Sequence, residues 1–209
     1  MVVSRIALTF SVLVGSAMVY GCGEQSAAGA GKAPTTQPVR EKAMNSAKAT
    51  FAAGCFWGVQ LEFDKTEGVV STSVGYMGGK TSNPTYKQVC TDTTGHAEVV
   101  QVEYDPRRVS YETLVRTFFE LHDPTQVNRQ GPDVGSQYRS AIFFHTPEQE
   151  KAARAFIERL TKAGEYGKPI ATEVAPAGEF WPAEDYHQKY FERRGMESCH
   201  IRRKLRTVQ

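Results

Sequence analysis

The sequence predicts an α+β or α/β two-layer sandwich in which strands and helices interleave around one core. Three observations carry this expectation. Strand-like and helix-like stretches alternate from Lys48 to Phe191. Leu114, Val115, Phe118, Phe119 and Leu121 recur at helical spacing, whereas His96 to Tyr104 alternates as a half-buried strand does. With 209 residues, 40% hydrophobic and 23% charged, the chain can form one domain with a full core. A net charge of +2 gives no reason to expect a nucleic-acid partner, and the domain is expected to be a monomer.

Residues 1–21 read as a lipoprotein-type signal peptide. Arg5 is the only charge before Cys22, and the apolar run from Ile6 to Tyr20 falls short of the roughly 20 residues that span a bilayer. The run ends in Val19-Tyr20-Gly21-Cys22, which resembles a bacterial lipoprotein signal with Cys22 as the lipidated residue, although Tyr20 is bulky for its position. An uncleaved anchor or an ordinary secretory signal are the alternatives. Either signal reading places the domain outside the cytoplasm, and the first makes it a membrane-anchored lipoprotein, periplasmic or at the cell surface. Residues 22–47, rich in Gly, Ala, Ser, Thr, Gln and Pro, read as a flexible tether of about 25–30 Å reach.

The domain itself spans residues 48–209. Lys48 to Ala53 is strand-like, and Val59, Leu61 and Phe63 begin a helix. Val69 to Tyr76 reads as a strand ended by Gly78-Gly79, Thr85 to Cys90 as a short helix or irregular turn, and His96 to Tyr104 as a strand closed by Asp105-Pro106. Ser110 is a plausible N-cap for a helix reaching His122. Asp123 to Gln137 is a long loop, of a kind more often functional than idle. Ser140 to Phe144 is a strand. Thr146-Pro147-Glu148-Gln149 then forms a capping box opening a helix with Ala152, Phe156 and Leu160 inward. Ile170 to Ala175 and Ala183 to Phe191 are the last strand and helix. The basic stretch after Gly195 is expected to be mobile.

Chemistry concentrates at Gly54-Cys55-Phe56-Trp57-Gly58. Cys55 falls at a strand-to-helix turn, where helix N–H groups favour an anion and lower a thiol's pKa. Phe56 and Trp57 offer an apolar wall beside it, although aromatics at a helix start are commonly packing. Glu98 shares the apolar face of its strand with Val100, Val102 and Tyr104. Burial would there let it hold a proton near neutrality, or it is a structural glutamate paired with an arginine or a backbone amide. Tyr86 and Tyr138 lie in turn-rich segments from which a phenol can enter a cleft. With Cys22 lipidated, Cys55, Cys90 and Cys199 remain, and three thiols cannot all pair internally. Cys90 reads as core. Cys199, among His200, Arg202, Arg203 and Lys204, sits where a thiolate is favoured, so Cys55 and Cys199 suggest a disulfide that forms and breaks in turnover, the alternatives being a buried structural Cys55 and an inert tail Cys199. Neither cysteine lies in a C-x-x-C pair and the histidines are scattered, which argues against a metal site.

These residues resemble the type A peptide methionine sulfoxide reductases. The resemblance runs from about Lys48 to His200. It rests on Gly54 to Gly58, Val74-Gly75-Tyr76, Pro84-Thr85-Tyr86, Thr94 to Val100, Asp133 to Ser140, and Ala183 to Gln188. It implies a two-layer α+β sandwich of ferredoxin-like type with a mixed sheet. It implies Cys55 as nucleophile, Phe56 and Trp57 as the wall for the sulfoxide methyl group, and Glu98, Tyr86 and Tyr138 as partners of the sulfoxide oxygen with Glu98 the proton donor. Asp133 supports the pocket, and Cys199 is the resolving cysteine. Two departures stand out: Asp92 where the family often has glycine, and no second recycling cysteine after Cys199.

The implied reaction reduces methionine S-sulfoxide, free or in proteins, leaving a Cys55 sulfenic acid and then a Cys55–Cys199 disulfide. Thioredoxin or a similar dithiol regenerates it, with no metal or organic cofactor. Two rivals remain: a cysteine hydrolase or acyltransferase with Cys55 activated by His96 or His187, and a non-catalytic lipoprotein binding a partner through the aromatic pocket.

Overall fold

A computed structural model describes residues 46–198, 200 and 202–206. Cys22, the signal, the expected tether up to residue 45, and Cys199 lie outside the described residues, and Ala47, expected to end the tether, already opens the first strand. The chain begins with strand β1 (Ala47–Ala53), helix α1 (Phe56–Asp64), strand β2 (Val69–Met77) and the one-turn helix α2 (Tyr86–Val89). Strand β3 (Ala97–Tyr104) and helix α3 (Tyr111–Leu121) follow, then a small hairpin of β4 (Arg129–Gln130) and β5 (Asp133–Val134). A 3₁₀ turn at Ser136–Tyr138 leads to β6 (Ser140–Phe144) and the long helix α4 (Pro147–Lys162). Strands β7 (Glu173–Pro176) and β8 (Trp181–Pro182) and helix α5 (Tyr190–Arg193) complete the order.

Six strands form one sheet in the order β7-β6-β1-β3-β2-β8. Its centre follows a β-α-β-β-α-β path, β1-α1-β2-β3-α3-β6, with the strands laid out as β6-β1-β3-β2, which is the ferredoxin-like arrangement. Those pairs are antiparallel, whereas β7 joins β6 in parallel after the α4 crossover, so the sheet is mixed as expected.

The sequence builds this in local steps. Ser110 caps α3 by accepting from Thr113 N, and Thr85 and Gln88 make a reciprocal capping box at α2. Phe51 of β1 stacks on Phe63 of α1 at 5.1 Å and on Phe118 of α3 at 5.4 Å, which pins both helices to the same face of the sheet. The opposite face carries Ala52, Met77, Val99 and Phe143, covered by Ala175, Ala177 and Phe180. With both faces of the central strands buried, register is strongly specified.

Four local expectations require correction. At α4, Thr146 accepts from Gln149 N, but the Gln149 side chain bonds His145 N and Lys48 O, so only half the capping box forms. The buried stripe of that helix runs through Ala153, not Ala152, with Phe156 and Leu160. The last long strand starts at Glu173, because pairing with β6 begins at Ala141↔Glu173 and Ala171 N is bonded to Pro124 O. The expected helix at Ala183 to Phe191 is mostly a succession of turns, with Lys189 in the left-handed region at φ 55° and a helix only from Tyr190.

Candidate active site

The site lies where β1 leaves the sheet. β3 runs antiparallel to β1, so the start of β3 lies beside the end of β1, and Glu98, its second residue, meets the first turn of α1. Cys55 is the N-cap residue of α1. Gly54 makes the approach possible. Its φ of +90° is unfavourable for other residues, and a Cβ there would meet Gln130 Cβ at 2.7 Å, so the β4–β5 hairpin can close over the cysteine only past a glycine.

Glu98 is 2% exposed, and its Oε2 accepts from the Phe56 backbone N–H at 3.1 Å. Burial pushes its carboxyl up to about 8, the Phe56 hydrogen bond opposes this, and Asp133 adds to it. The backbone-amide partner anticipated for a structural glutamate is therefore present, but it is the amide that follows the thiol. Glu98 is held in the site as an acid near neutral pH.

Tyr86 and Tyr138 converge on the same region. Burial raises the Tyr86 phenol, with contributions from a hydrogen bond to Cys90 and from Glu98. Burial also raises the Tyr138 phenol, with Glu98, Asp133, Cys90 and Cys55 adding to the effect. Both phenols remain protonated and available as donors. Asp133 lines a cavity of about 370 Å³ together with Cys55, Leu121, Gln130, Pro132 and His200.

The aromatic wall is deeper than the sequence suggested. Phe56 is buried and its ring lies 5.2 Å from that of His187. Trp57 donates through Nε1 to His187 Nδ1 at 3.0 Å and stacks on Tyr190 at 3.8 Å. The His187 ring also meets Tyr86 at 4.4 Å. Glu184 and Tyr190 received no role from the sequence because a helix was expected there, and His187, considered only as an activator of Cys55 in the rival hydrolase reading, instead packs against Trp57 and Tyr86. Their segment instead binds back across the fold: Gln188 exchanges hydrogen bonds with Val74 N and O at the edge of β2. Glu184 accepts from Tyr86 N at 2.9 Å and from Tyr76 OH at 3.1 Å. Charged and amide side chains filling the face of an expected helix were the available signal.

Two cysteine expectations meet the structure differently. Cys90 is exposed and not core: it caps a helix whose buried residue is Val89, so the next position turns outward. Cys199 lies outside the described residues, and both its neighbours contact the Cys55 segment. His200 Nε2 lies 3.4 Å from Cys55 O, and Ser198 Oγ lies 3.5 Å from Gly58 O. His96 does not serve as a base for Cys55, since its Nδ1 accepts from Gly79 N and its Nε2 is bonded to Thr81 O. Among the described residues no group of three His, Cys, Asp or Glu is placed to hold a metal ion.

A cysteine at a helix start, a buried carboxyl that holds a proton and two protonated phenols define a thiol-dependent catalyst suited to an oxygen leaving group. The comparisons agree. The family model for peptide methionine sulfoxide reductase matches residues 47–209. The chain is 61% identical over 152 residues to the peptide methionine sulfoxide reductase MsrA of Geobacter metallireducens, covering 73% of this chain and 94% of that protein. Its fold is similar to reduced Mxr1 from Saccharomyces cerevisiae, with a TM-score of 0.72, 36% identity, and coverage of 77% and 94% of the two chains. Mxr1 in complex with Trx2 is also similar, with a TM-score of 0.53, 26% identity, and coverage of 77% and 92%. The chain belongs to the peptide methionine sulfoxide reductase family, and its activity is the thiol-dependent reduction of methionine sulfoxide.

Proposed function

We propose that Cys55 attacks the sulfur of methionine S-sulfoxide while Glu98 gives its proton to the departing oxygen. The Cys55 sulfur gains that oxygen as a sulfenic acid, methionine departs, and Glu98 is left as a carboxylate. Tyr86 and Tyr138 donate hydrogen bonds to the same oxygen, and Phe56 and Trp57 enclose the methyl group. Asp133 keeps the Glu98 proton in place by raising its affinity. The observation that carries this reading is the buried Glu98 bonded to the amide that follows Cys55, where burial raises its carboxyl.

Cys199 then condenses with the sulfenic acid, forming the Cys55–Cys199 disulfide and releasing water. The contacts of Ser198 and His200 with the Cys55 segment support this pairing. A thioredoxin-like dithiol reduces the disulfide, a role supported by the Mxr1–Trx2 complex. The lipoprotein-type pattern ending at Cys22 supports a membrane-anchored enzyme outside the cytoplasm, acting on oxidised proteins there.

The test is thioredoxin-coupled turnover of each sulfoxide epimer by the wild-type and Cys55→Ser proteins. The S epimer alone should be reduced, and the variant should be inactive. Turnover by Cys55→Ser would remove the thiol from the mechanism.

A further inference from the structure

Residues 202–206 are bound to the body of the domain through a receptor that the reaction itself does not use. Glu165 lies in the turn after α4, and its side chain is 1% exposed. Its carboxylate accepts from the Arg206 backbone N–H at 3.2 Å and from Arg203 Nη2 at 3.3 Å. Arg203 Nη2 also bonds the Glu165 carbonyl at 2.8 Å, its guanidinium lies 4.9 Å from the centre of the Tyr166 ring, and its backbone N–H bonds Glu120 O at 2.8 Å. Closer to the site, Arg202 Nη2 reaches Thr117 Oγ1, and His200 Nδ1 bonds Leu121 O at 2.9 Å. These anchors follow α3 from the Glu165 turn back to Cys55.

We propose that Glu165 and Arg203 form a latch that positions the C-terminal segment for the disulfide step, making them positioning residues for resolution and not for sulfoxide reduction. The argument is electrostatic and entropic. A carboxylate withdrawn this far from water is tolerated when charged and N–H partners compensate it, and here the tail supplies both. Holding His200 and residues 202–206 against the body of the domain restricts where the chain on the C-terminal side of position 199 can lie, which raises the effective concentration of a thiol at that position beside Cys55. The latch rests on the reading of Cys199 as the resolving residue.

The experiment is a single turnover of full-length protein with excess methionine sulfoxide and no reductant, followed by rapid quench. Methionine release reports the first step and disulfide formation the second. In Arg203→Ala, methionine should appear at the wild-type rate while the disulfide forms roughly tenfold more slowly. Glu165→Gln should behave alike, and the double variant should be no slower than the slower single variant, because both remove one interaction. Arg203→Lys should recover part of the rate. Wild-type disulfide kinetics in Arg203→Ala, or additive slowing in the double variant, would overturn the latch. Arg203 is partly exposed, so its variant decides the matter even where Glu165→Gln fails to fold. Cys199→Ser is the control: a disulfide that persists there overturns the reading of Cys199 as well, whereas its loss there leaves the latch to be judged on the Arg203 variants.

Discussion

Glu98 Oε2 and the backbone N–H of Phe56 share a 3.1 Å hydrogen bond, so the proposed acid and the residue that follows the proposed nucleophile are fixed to one another. The bond joins the second residue of one strand to the first turn of the neighbouring helix. In the proposed mechanism it sets where the sulfoxide oxygen lies to meet Cys55 and a proton together.

The first prediction concerns pH. Glu98 is raised to about 8, so the sulfoxide-reducing step, measured in single turnover, should lose rate as pH rises through about 8, and Glu98→Gln should be slow and lack that limb. The same shift affects stability with a definite sign. Between the ordinary glutamate range and about 8 the folded protein binds a proton that the unfolded chain has released. Folding is thus progressively penalised as pH rises across that window and levels off above it. The stability of Glu98→Gln relative to wild type should therefore increase from pH 4.5 to 8, as read by urea melts across that range.

Glu184 is predicted to hold the Tyr86 segment. Glu184→Ala removes the acceptor for Tyr86 N and for the Tyr76 hydroxyl, whose residue is fully buried. A loss of about 1–3 kcal/mol is expected from the orphaned donors. Tyr76→Phe should then cost less in the Glu184→Ala background than alone, since the hydroxyl has already lost its partner. Chemical denaturation of the four proteins measures this.

Much of the fold was legible because its signals are local. The Phe51 strand, the Ser110 cap and the period of Leu114 to Leu121 each report on the neighbouring residues. The Cys55 turn and the buried face of Glu98 were legible for the same reason. The segment from Ala183 to Gln188 was not, because its polar side chains satisfy partners far along the chain, Val74, Tyr76 and Tyr86 among them. The β4–β5 hairpin was also hidden: each strand has two residues, too few for an alternation pattern. Cys90 was misread because a thiol suggests burial, while its helix has room for one inward residue.

Gly54→Ala should test the closeness of the hairpin to the nucleophile. Both the left-handed backbone and the 2.7 Å approach to Gln130 oppose a methyl group. A destabilisation of roughly 1–3 kcal/mol is expected, with activity falling further than stability because the shift occurs beside Cys55. Thermal melts and initial rates on one preparation make the comparison.

Trp57→Phe deletes the donor to His187 Nδ1 while keeping an aromatic surface. The wall should loosen without loss of the acid, so KM should rise roughly three- to tenfold with kcat little changed. A fall in kcat at constant KM would instead place Trp57 in the chemical step.

The most direct measurement of the central claim uses Cys199→Ser with methionine S-sulfoxide and a sulfenic-acid trap such as dimedone, without reductant. One methionine per protein should be released, and mass spectrometry should find the trap on Cys55. Methionine release without modification of Cys55, or an adduct on Cys90 in its place, would contradict the mechanism.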